Sequence, residues 1–275
     1  MNILKKTKKR FNEIDFLKGL AIITMVTSHV FYFQYQLNMR TLNFNSPWYL
    51  FLTLFAQVVF ITCIGLNLSL SNQSRQVNYY TPEEEERKKK SYTLKQLKRV
   101  LIIGCFALIL SYLTYLTHGY KFIKFGILHF ASLAILIMMW GVNSQISNAI
   151  IAVLVIGLFF VKNPIANSLE GRTHPFFGFM LGLGNPSYYS MDYFPFVPWL
   201  ALVAIGIMVG NVAYKYYQRQ FHISSGFEKF LKNNKNPVSL VIRECGKYSF
   251  LIYLLHIPIL YFILRLIQGR RVNTY

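Results

Sequence analysis

Residues 13–30 read EIDFLKGLAIITMVTSHV, an apolar stretch that opens on charged side chains and nearly ends on a histidine. With its flanks it reaches the roughly 20 residues that an α-helix needs to cross a bilayer core of about 30 Å. His29 lies inside this stretch, and ionisable side chains within a membrane span are costly and usually functional. The stretch therefore predicts a membrane-spanning helix and, within it, a candidate functional residue.

The composition of the whole chain is that of a membrane protein. Of its 275 residues, 54% are hydrophobic and 14% are charged, whereas soluble domains carry about 25% charged residues. Seven apolar stretches can each span a membrane as a helix. They lie near residues 14–35, 48–70, 100–117, 123–142, 147–162, 196–214 and 248–268. We predict an all-α, polytopic membrane helix bundle that forms a single domain over residues 1–275.

The net charge of +19 would suit a nucleic-acid partner, but the placement of the charges favours a different explanation. With a cytoplasmic N-terminus, the four cytoplasmic segments hold 5, 8, 0 and 7 Lys and Arg residues, 20 of the 29 in the chain. These segments are 1–13, 72–99, 143–146 and 215–247. This is the positive-inside pattern of a multi-pass protein with its C-terminus outside. We expect the membrane to be the cell membrane. We predict contact with membrane lipids and no nucleic-acid partner.

Three connections between the spans differ in character. In 72–99, Thr81 and Pro82 are typical of a helix start, so we expect a short surface helix that leads into the third span. Segment 215–247 is polar and is expected to be flexible. The outer segment 163–195 is rich in Gly, Pro and aromatic residues, as in lids and binding loops.

Three of the six histidines lie in separate predicted spans: His29, His129 and His256. The helical rise of about 1.5 Å per residue places His29 and His129 at nearly the same level and His256 near the midplane. Asp192 lies at the outer mouth of the sixth span, close to the level of the first two. A histidine beside a carboxylate suits general base chemistry, because its pKa is near neutral and the partner fixes its tautomer.

Several other interpretations of these residues remain open. Each histidine could simply satisfy a polar contact between helices, relay protons in a transporter or lipid-handling protein, or ligate haem with a second imidazole. The basic residues Lys18, Arg99 and Arg243 could attract a phosphorylated cytoplasmic molecule, or could merely reflect the positive-inside rule. Lys18 is the exception, since it lies within the helix start and can pair with Asp15 or Glu13.

Four blocks of the sequence resemble, in order, the catalytic-domain family of heparan-α-glucosaminide N-acetyltransferases. The blocks are EIDFLKGLAIITMVTSH, FIKFGILHFASLAIL, DYFPFVPWLALVAIGIMVG and YSFLIYLLHIPIL. The resemblance implies a transmembrane acyltransferase that takes an acetyl or short acyl group from cytoplasmic acyl-CoA. The acceptor would be a sugar hydroxyl or amine, such as a glycan or amino sugar, on the opposite side of the membrane.

The resemblance also implies roles for particular residues. His29 would act as the general base, with His129 or Asp192 assisting it, while His256 and Tyr253 would line the thioester path. Lys18, with Asp15 beside it, and the basic residues Arg99 and Arg243 would hold the phosphates of acetyl-CoA. No metal is expected, and a homodimer stays open.

The chain also departs from the family pattern. Lys18 stands where the family's D-x-x-R-G motif has Arg, so charge is kept but the bidentate geometry is lost. The segment 36–45, where the lysosomal enzyme has its essential histidine, contains none. We therefore expect direct transfer in a ternary complex rather than an acetyl-histidine intermediate.

Overall fold

The computed structural model describes residues 10–76, 81–169, 175–183 and 190–272. Within these ranges the chain forms ten α-helices. They are α1 (Asn12–Gln36), α2 (Pro47–Gln76), α3 (Pro82–His118), α4 (Ile127–Met138), α5 (Gln145–Leu169), α6 (Pro175–Leu181), α7 (Phe196–Ala213), α8 (Ser225–Lys232), α9 (Pro237–Lys247) and α10 (Ser249–Val272). Six of them, α1, α2, α3, α5, α7 and α10, are long and apolar enough to cross a membrane. The prediction of an all-α polytopic membrane bundle is confirmed.

The outward faces of these helices match a lipid environment. Leu101 on α3, Phe160 on α5 and Phe262 on α10 are 64–78% exposed. In water such a concentration of exposed large apolar side chains would be a liability, whereas hydrocarbon chains solvate them. The chain is therefore a multi-pass membrane protein.

The chain folds as two compact units. One comprises residues 1–60 and 222–275, and the other comprises residues 61–221. In the first unit, Ile22, Met25 and Ala56 form a small buried cluster. In the second, a larger core gathers apolar residues of α2, α4, α5 and α7.

In the first unit, α1 and α9 cross at a distance that only glycine permits. A Cβ atom on Gly19 would lie 1.8 Å from the carbonyl oxygen of Ile242, and one on Gly246 would lie 1.7 Å from that of Asp15. Both glycines let one backbone rest directly on the other. Gly19 of the DFLKG motif therefore has a packing role.

The first unit also shows the relative direction of α1 and α10. The rings of Phe33 and Tyr261 have centroids 6.0 Å apart, and Gln268 Nε2 donates to the carbonyl oxygen of Leu37 at 2.8 Å. Since the numbers rise together on both helices, α1 and α10 run parallel.

In the second unit, α2 and α7 are parallel for the same reason. A Cβ atom on Gly65 would lie 1.9 Å from a backbone carbonyl oxygen of α7, so the helices cross closely. Further along, Ser69 Oγ donates to Asn211 Oδ1 at 2.6 Å, and the backbone N–H of Tyr217 donates to Gln73 Oε1 at 3.2 Å.

These two parallel pairs bear on the number of crossings. Successive spans alternate in direction, so parallel helices must be separated by an odd number of spans. If α4 is counted as a crossing, an odd number of spans separates α1 from α10, and likewise α2 from α7. If α4 is not counted, the number of separating spans is even for both pairs. The number of seven spans stays a prediction.

Helix α4 is nevertheless shorter than the predicted span 123–142. Its 12 residues rise about 18 Å, less than the roughly 30 Å of the hydrocarbon core. Before the helix, Phe125 forms an isolated bridge with Tyr193, and the backbone N–H of Phe194 donates to the carbonyl oxygen of Phe125 at 3.1 Å. This pairing satisfies backbone groups that a helix would otherwise have satisfied internally.

The expectation for segment 215–247 was wrong, because the segment contains α8 and α9. Ser224 caps α8 through the N–H of Phe227. Asn236 caps α9 through the N–H groups of Val238 and Ser239, and Pro237 occupies the first helical position, where its missing N–H costs nothing.

The start predicted at Thr81 is confirmed. Thr81 Oγ1 accepts from the N–H of Glu84 at 3.2 Å, and Pro82 begins the helix. The expected short surface helix is not separate, however: it continues as α3 over 37 residues, about 55 Å. The N-terminal part of α3 thus extends well beyond the bilayer core.

Candidate active site

The structure brings together two of the predicted site histidines, both in the first unit. The imidazoles of His29 on α1 and His256 on α10 have ring centroids 4.9 Å apart and planes at 77°, an edge-to-face contact. His29 is half-buried, and His256 is 5% exposed. Parallel packing of the two helices thus concentrates both imidazoles at one point.

Hydrogen bonds to carbonyl groups fix the tautomer of each ring. His29 Nδ1 lies 2.9 Å from the carbonyl oxygen of Met25, and His256 Nδ1 lies 2.6 Å from that of Tyr253. A carbonyl oxygen only accepts, so Nδ1 carries the proton in both neutral rings. The Nε2 atoms are therefore the basic ones.

The Nε2 atom of His256 is buried without a hydrogen-bond partner among the described residues. A buried acceptor that finds no donor costs on the order of 1–3 kcal/mol. The surroundings offer apolar contact, with Ile252 and Tyr253 packed on the Ile22–Met25–Ala56 cluster. The pair therefore presents basic nitrogens in an apolar setting, suited to a ligand that brings hydroxyl, amide or amine donors.

Tyr253 lies beside His256 of this pair. Its ring centroid is 5.7 Å from that of His256, and its backbone carbonyl oxygen accepts a hydrogen bond from the Nδ1–H group of His256.

Asp15 is paired with a residue that the sequence did not single out. Arg10 donates from Nε to Asp15 Oδ2 and from Nη2 to Oδ1, both at 2.9 Å. This fork geometry is the strong form of such a pair, and the carboxylate raises the pKa of Arg10. Asp15 is 8% exposed, so Arg10 compensates a buried charge. An Arg five residues before an acid at a helix start was the signal available.

The three basic residues expected to hold phosphates are divided between the units. Lys18 is half-buried on α1. Arg243, on α9 in the same unit, donates from Nη2 to Asn234 Oδ1 at 2.7 Å. Arg99 belongs to the second unit and donates to Gln96 Oε1 at 2.9 Å.

His129 lies in the second unit, where both of its ring nitrogens are engaged at the start of α4. The backbone N–H of Gly126 donates to His129 Nδ1 at 3.3 Å. The proton is then on Nε2, which lies 3.1 Å from Ser111 Oγ, and the Ser111 hydroxyl donates to the carbonyl oxygen of Ile123 at 2.6 Å. This chain of bonds ties α3 to the first turn of α4.

Asp192 binds the same turn. Its Oδ2 accepts from the backbone N–H of Ile127 at 3.0 Å, at the positive end of the α4 dipole. A Cβ atom on Gly126 would lie 2.2 Å from that oxygen, so the position needs glycine. Burial raises the pKa of Asp192 to about 6 in spite of its hydrogen bonds from backbone N–H groups.

Asp192 is itself held by the segment that carries it. Ser190 Oγ donates to the backbone carbonyl oxygen of Asp192 at 2.6 Å, and it accepts from the N–H of Lys124 at 3.0 Å. Together, His129 and Asp192 accept from the backbone N–H groups of Gly126 and Ile127 at the N-terminus of α4, as capping residues do.

Comparison with known proteins gives one family. The family model described as heparan-alpha-glucosaminide N-acetyltransferase, catalytic, matches residues 10–258, which confirms the resemblance drawn from the sequence blocks. Neither a curated protein nor a solved structure matches the chain significantly. The matched range includes both members of the histidine pair and the α4 turn.

Proposed function

Since the chain belongs to the heparan-alpha-glucosaminide N-acetyltransferase catalytic family, we propose that it transfers an acetyl or short acyl group from cytoplasmic acyl-CoA. The acceptor is a sugar hydroxyl or amine on the opposite side of the membrane. Six long apolar helices and the family support a membrane acetyltransferase. The observation that carries the proposal is the contact between His29 and His256, whose basic Nε2 atoms can accept protons or hydrogen bonds from a substrate.

In the proposed reaction, the acceptor oxygen or nitrogen attacks the thioester carbonyl carbon while His29 Nε2 takes its proton. The new C–O or C–N bond forms, the C–S bond breaks, and the CoA thiolate leaves with the electron pair. The imidazolium of His29 then returns its proton to that thiolate. The carbonyl group of Met25 stabilises the imidazolium, because its oxygen lies 2.9 Å from His29 Nδ1 and accepts the hydrogen bond from the Nδ1–H group. General base assistance of this kind contributes about 10²- to 10⁴-fold.

The neighbouring residues have supporting roles in this proposal. His256 accepts a hydrogen bond from bound substrate through its buried Nε2, and Tyr253 lines the thioester path with it. Lys18 and Arg243, which belong to the same unit as the histidine pair, attract the phosphates of the donor. Asp15 is held by Arg10 and keeps the start of α1 in place. Transfer is direct, in a ternary complex.

His129 and Asp192, proposed from the sequence as assistants of the base, fit a positioning role better. Both nitrogens of His129 are occupied within the α4 turn, and Asp192 caps the same turn. Neither is placed in the proton transfer. They hold the first turn of this short helix in place.

The test is incubation of membranes containing the chain with [¹⁴C]acetyl-CoA and an amino sugar or a neutral sugar as acceptor. We expect label in the sugar and one free CoA thiol released per acetyl group transferred. Membranes from cells without the chain are the control. If no acceptor gains label above this control, and acetyl-CoA does not change the thermal unfolding midpoint of the purified protein, the proposal is wrong.

A proton-coupled transporter is the second candidate, and the contact between the imidazoles of His29 and His256 within membrane helices favours it. A proton on one ring could pass to the other through a bound donor group. This function predicts solute uptake that depends on a pH gradient and needs no acyl-CoA. Proteoliposomes loaded with sugar distinguish the two, because only the transporter moves unmodified sugar.

A further inference from the structure

The second unit contains a cavity that the proposed chemistry does not use. It lies between the C-terminal turn of α2 and the N-terminal half of α3, and its volume is about 330 Å³. The described residues that line it are Ser71, Ser74, Arg75, Lys88, Ser91, Tyr92 and Lys95. Three of these side chains are cationic, four carry hydroxyl groups, and none is a carboxylate.

The cavity wall contains two buried polar atoms for which the described residues provide no hydrogen-bond partner. Arg75 donates from Nη2 to Asn72 Oδ1 at 2.8 Å, while its Nε is buried and, among the described residues, has no acceptor. The hydroxyl of Tyr92 is also buried without a partner in that part of the chain, and this residue is 8% exposed. Unpaired buried groups of this kind are unfavourable unless a ligand supplies the missing partner.

The hydroxyl group of Ser71 is a further donor at this cavity. Its Oγ accepts from Lys95 Nζ at 2.8 Å and from Gln96 Nε2 at 3.0 Å. A serine hydroxyl has two acceptor sites and one proton. With both acceptor sites filled, the Ser71 hydroxyl can act toward a ligand only as a donor. Arg75, Tyr92 and Ser71 thus offer donors around one cationic cavity.

Phosphate oxygens match this set of donors better than a carboxylate does. A phosphate group accepts several hydrogen bonds at once, and guanidinium, ammonium and hydroxyl groups are its usual partners. The volume is at the lower end of the roughly 300–1,000 Å³ of small-molecule sites, which leaves room for the group that the phosphate esterifies.

We propose that this cavity binds the phosphate end of a phosphate ester, with Arg75, Lys88, Ser71 and Tyr92 as donors. The ester is either a soluble nucleotide or the headgroup of an anionic lipid. Phosphate recognition stands on the cavity alone.

The experiment measures binding of two probes to the full-length protein. For the soluble source, calorimetry in phosphatidylcholine nanodiscs uses adenosine 3′,5′-bisphosphate. For the lipid source, native mass spectrometry counts phosphatidylglycerol retained after purification from mixed vesicles. The variants are Arg75→Gln and Lys88→Gln. Lys89→Gln is the matched control, because it removes the same charge from the adjacent, exposed position of α3, outside the cavity.

We expect one probe to bind the wild type, with affinity or retention at least tenfold weaker in Arg75→Gln and Lys88→Gln and unchanged in Lys89→Gln. Whichever probe behaves in this way identifies the source. Absence of binding by both probes overturns the inference, and so does wild-type binding by Arg75→Gln or an equal loss in Lys88→Gln and Lys89→Gln. Acetyl transfer is assayed separately, so a chain without transferase activity can still show this site, and an active enzyme can still lack it.

Discussion

Replacing Asp192 by Asn should change how stability depends on pH. The pKa of Asp192 is about 6 in the folded protein, against its ordinary 3.8. Below pH 3.8 the carboxyl is protonated in both folded and unfolded chains, so the stability that its neutral form provides is fully present. As the pH rises, Asp192 ionises first in the unfolded chain. The free energy of unfolding therefore falls until the pH reaches the folded pKa. At about 1.4 kcal/mol per tenfold step, the total loss is about 3 kcal/mol.

About 2 kcal/mol of this loss falls between pH 4.5 and pH 7.5. The amide of the Asp192→Asn variant cannot ionise, yet its oxygen can still accept from the Ile127 N–H that Asp192 binds at 3.0 Å. The substitution should therefore abolish the loss of stability at higher pH and keep the hydrogen bond that caps α4. Stability of the variant relative to the wild type should rise between the two pH values.

The assay is thermal unfolding of both proteins in detergent at a series of pH values from 4.5 to 7.5. Glu83→Gln serves as control, since it makes the equivalent change at an exposed position in the first turn of α3. Parallel curves for Asp192→Asn and the wild type would refute the reasoning, because they would mean that Asp192 ionises equally easily in folded and unfolded chains.

Two further substitutions separate packing from chemistry. Gly246→Ala should lower the thermal unfolding midpoint, because its Cβ would lie 1.7 Å from the carbonyl oxygen of Asp15 and overpacking costs about 1–3 kcal/mol. The control Gly157→Ala, at a position with open space around it, should leave the midpoint equal or higher. Equal losses in the two variants would contradict the close crossing of α1 and α9. His129→Ala should lower the midpoint while the pH profile of acetyl transfer keeps its shape, since both ring nitrogens serve the α4 turn. A displaced pH profile would instead place His129 in the chemistry.

Much of the architecture could be predicted because hydropathy and capping are local properties. The apolar stretches marked the helices, and Thr81 with Pro82 marked the start of α3. The same kind of signal was present at Asn236 and Pro237, where α9 begins. The polar composition of 215–247 nevertheless favoured a flexible connection over a helix. The position of Gly246 shows instead that α9 packs closely on α1.

The histidine pair could not be predicted from the sequence. Helical rise gives the depth of a residue, and depth suggested that His29 and His129 belong together. Depth says nothing about which helices are neighbours or which faces they turn toward each other. The contact of His29 with His256 depends on the parallel packing of α1 and α10, helices at opposite ends of the chain. The partner of Asp15 was missed for a smaller reason, since Arg10 counted only as one charge of the basic start.

The most direct test of the central proposal is the rate of acetyl transfer by His29→Ala at saturating acetyl-CoA, measured on protein with wild-type thermal stability. If His29 Nε2 takes the proton of the acceptor, the rate should fall by about 10²- to 10⁴-fold. The affinity for acetyl-CoA should stay close to that of the wild type. A variant that transfers acetyl groups at the wild-type rate would contradict the assignment of His29 as the base.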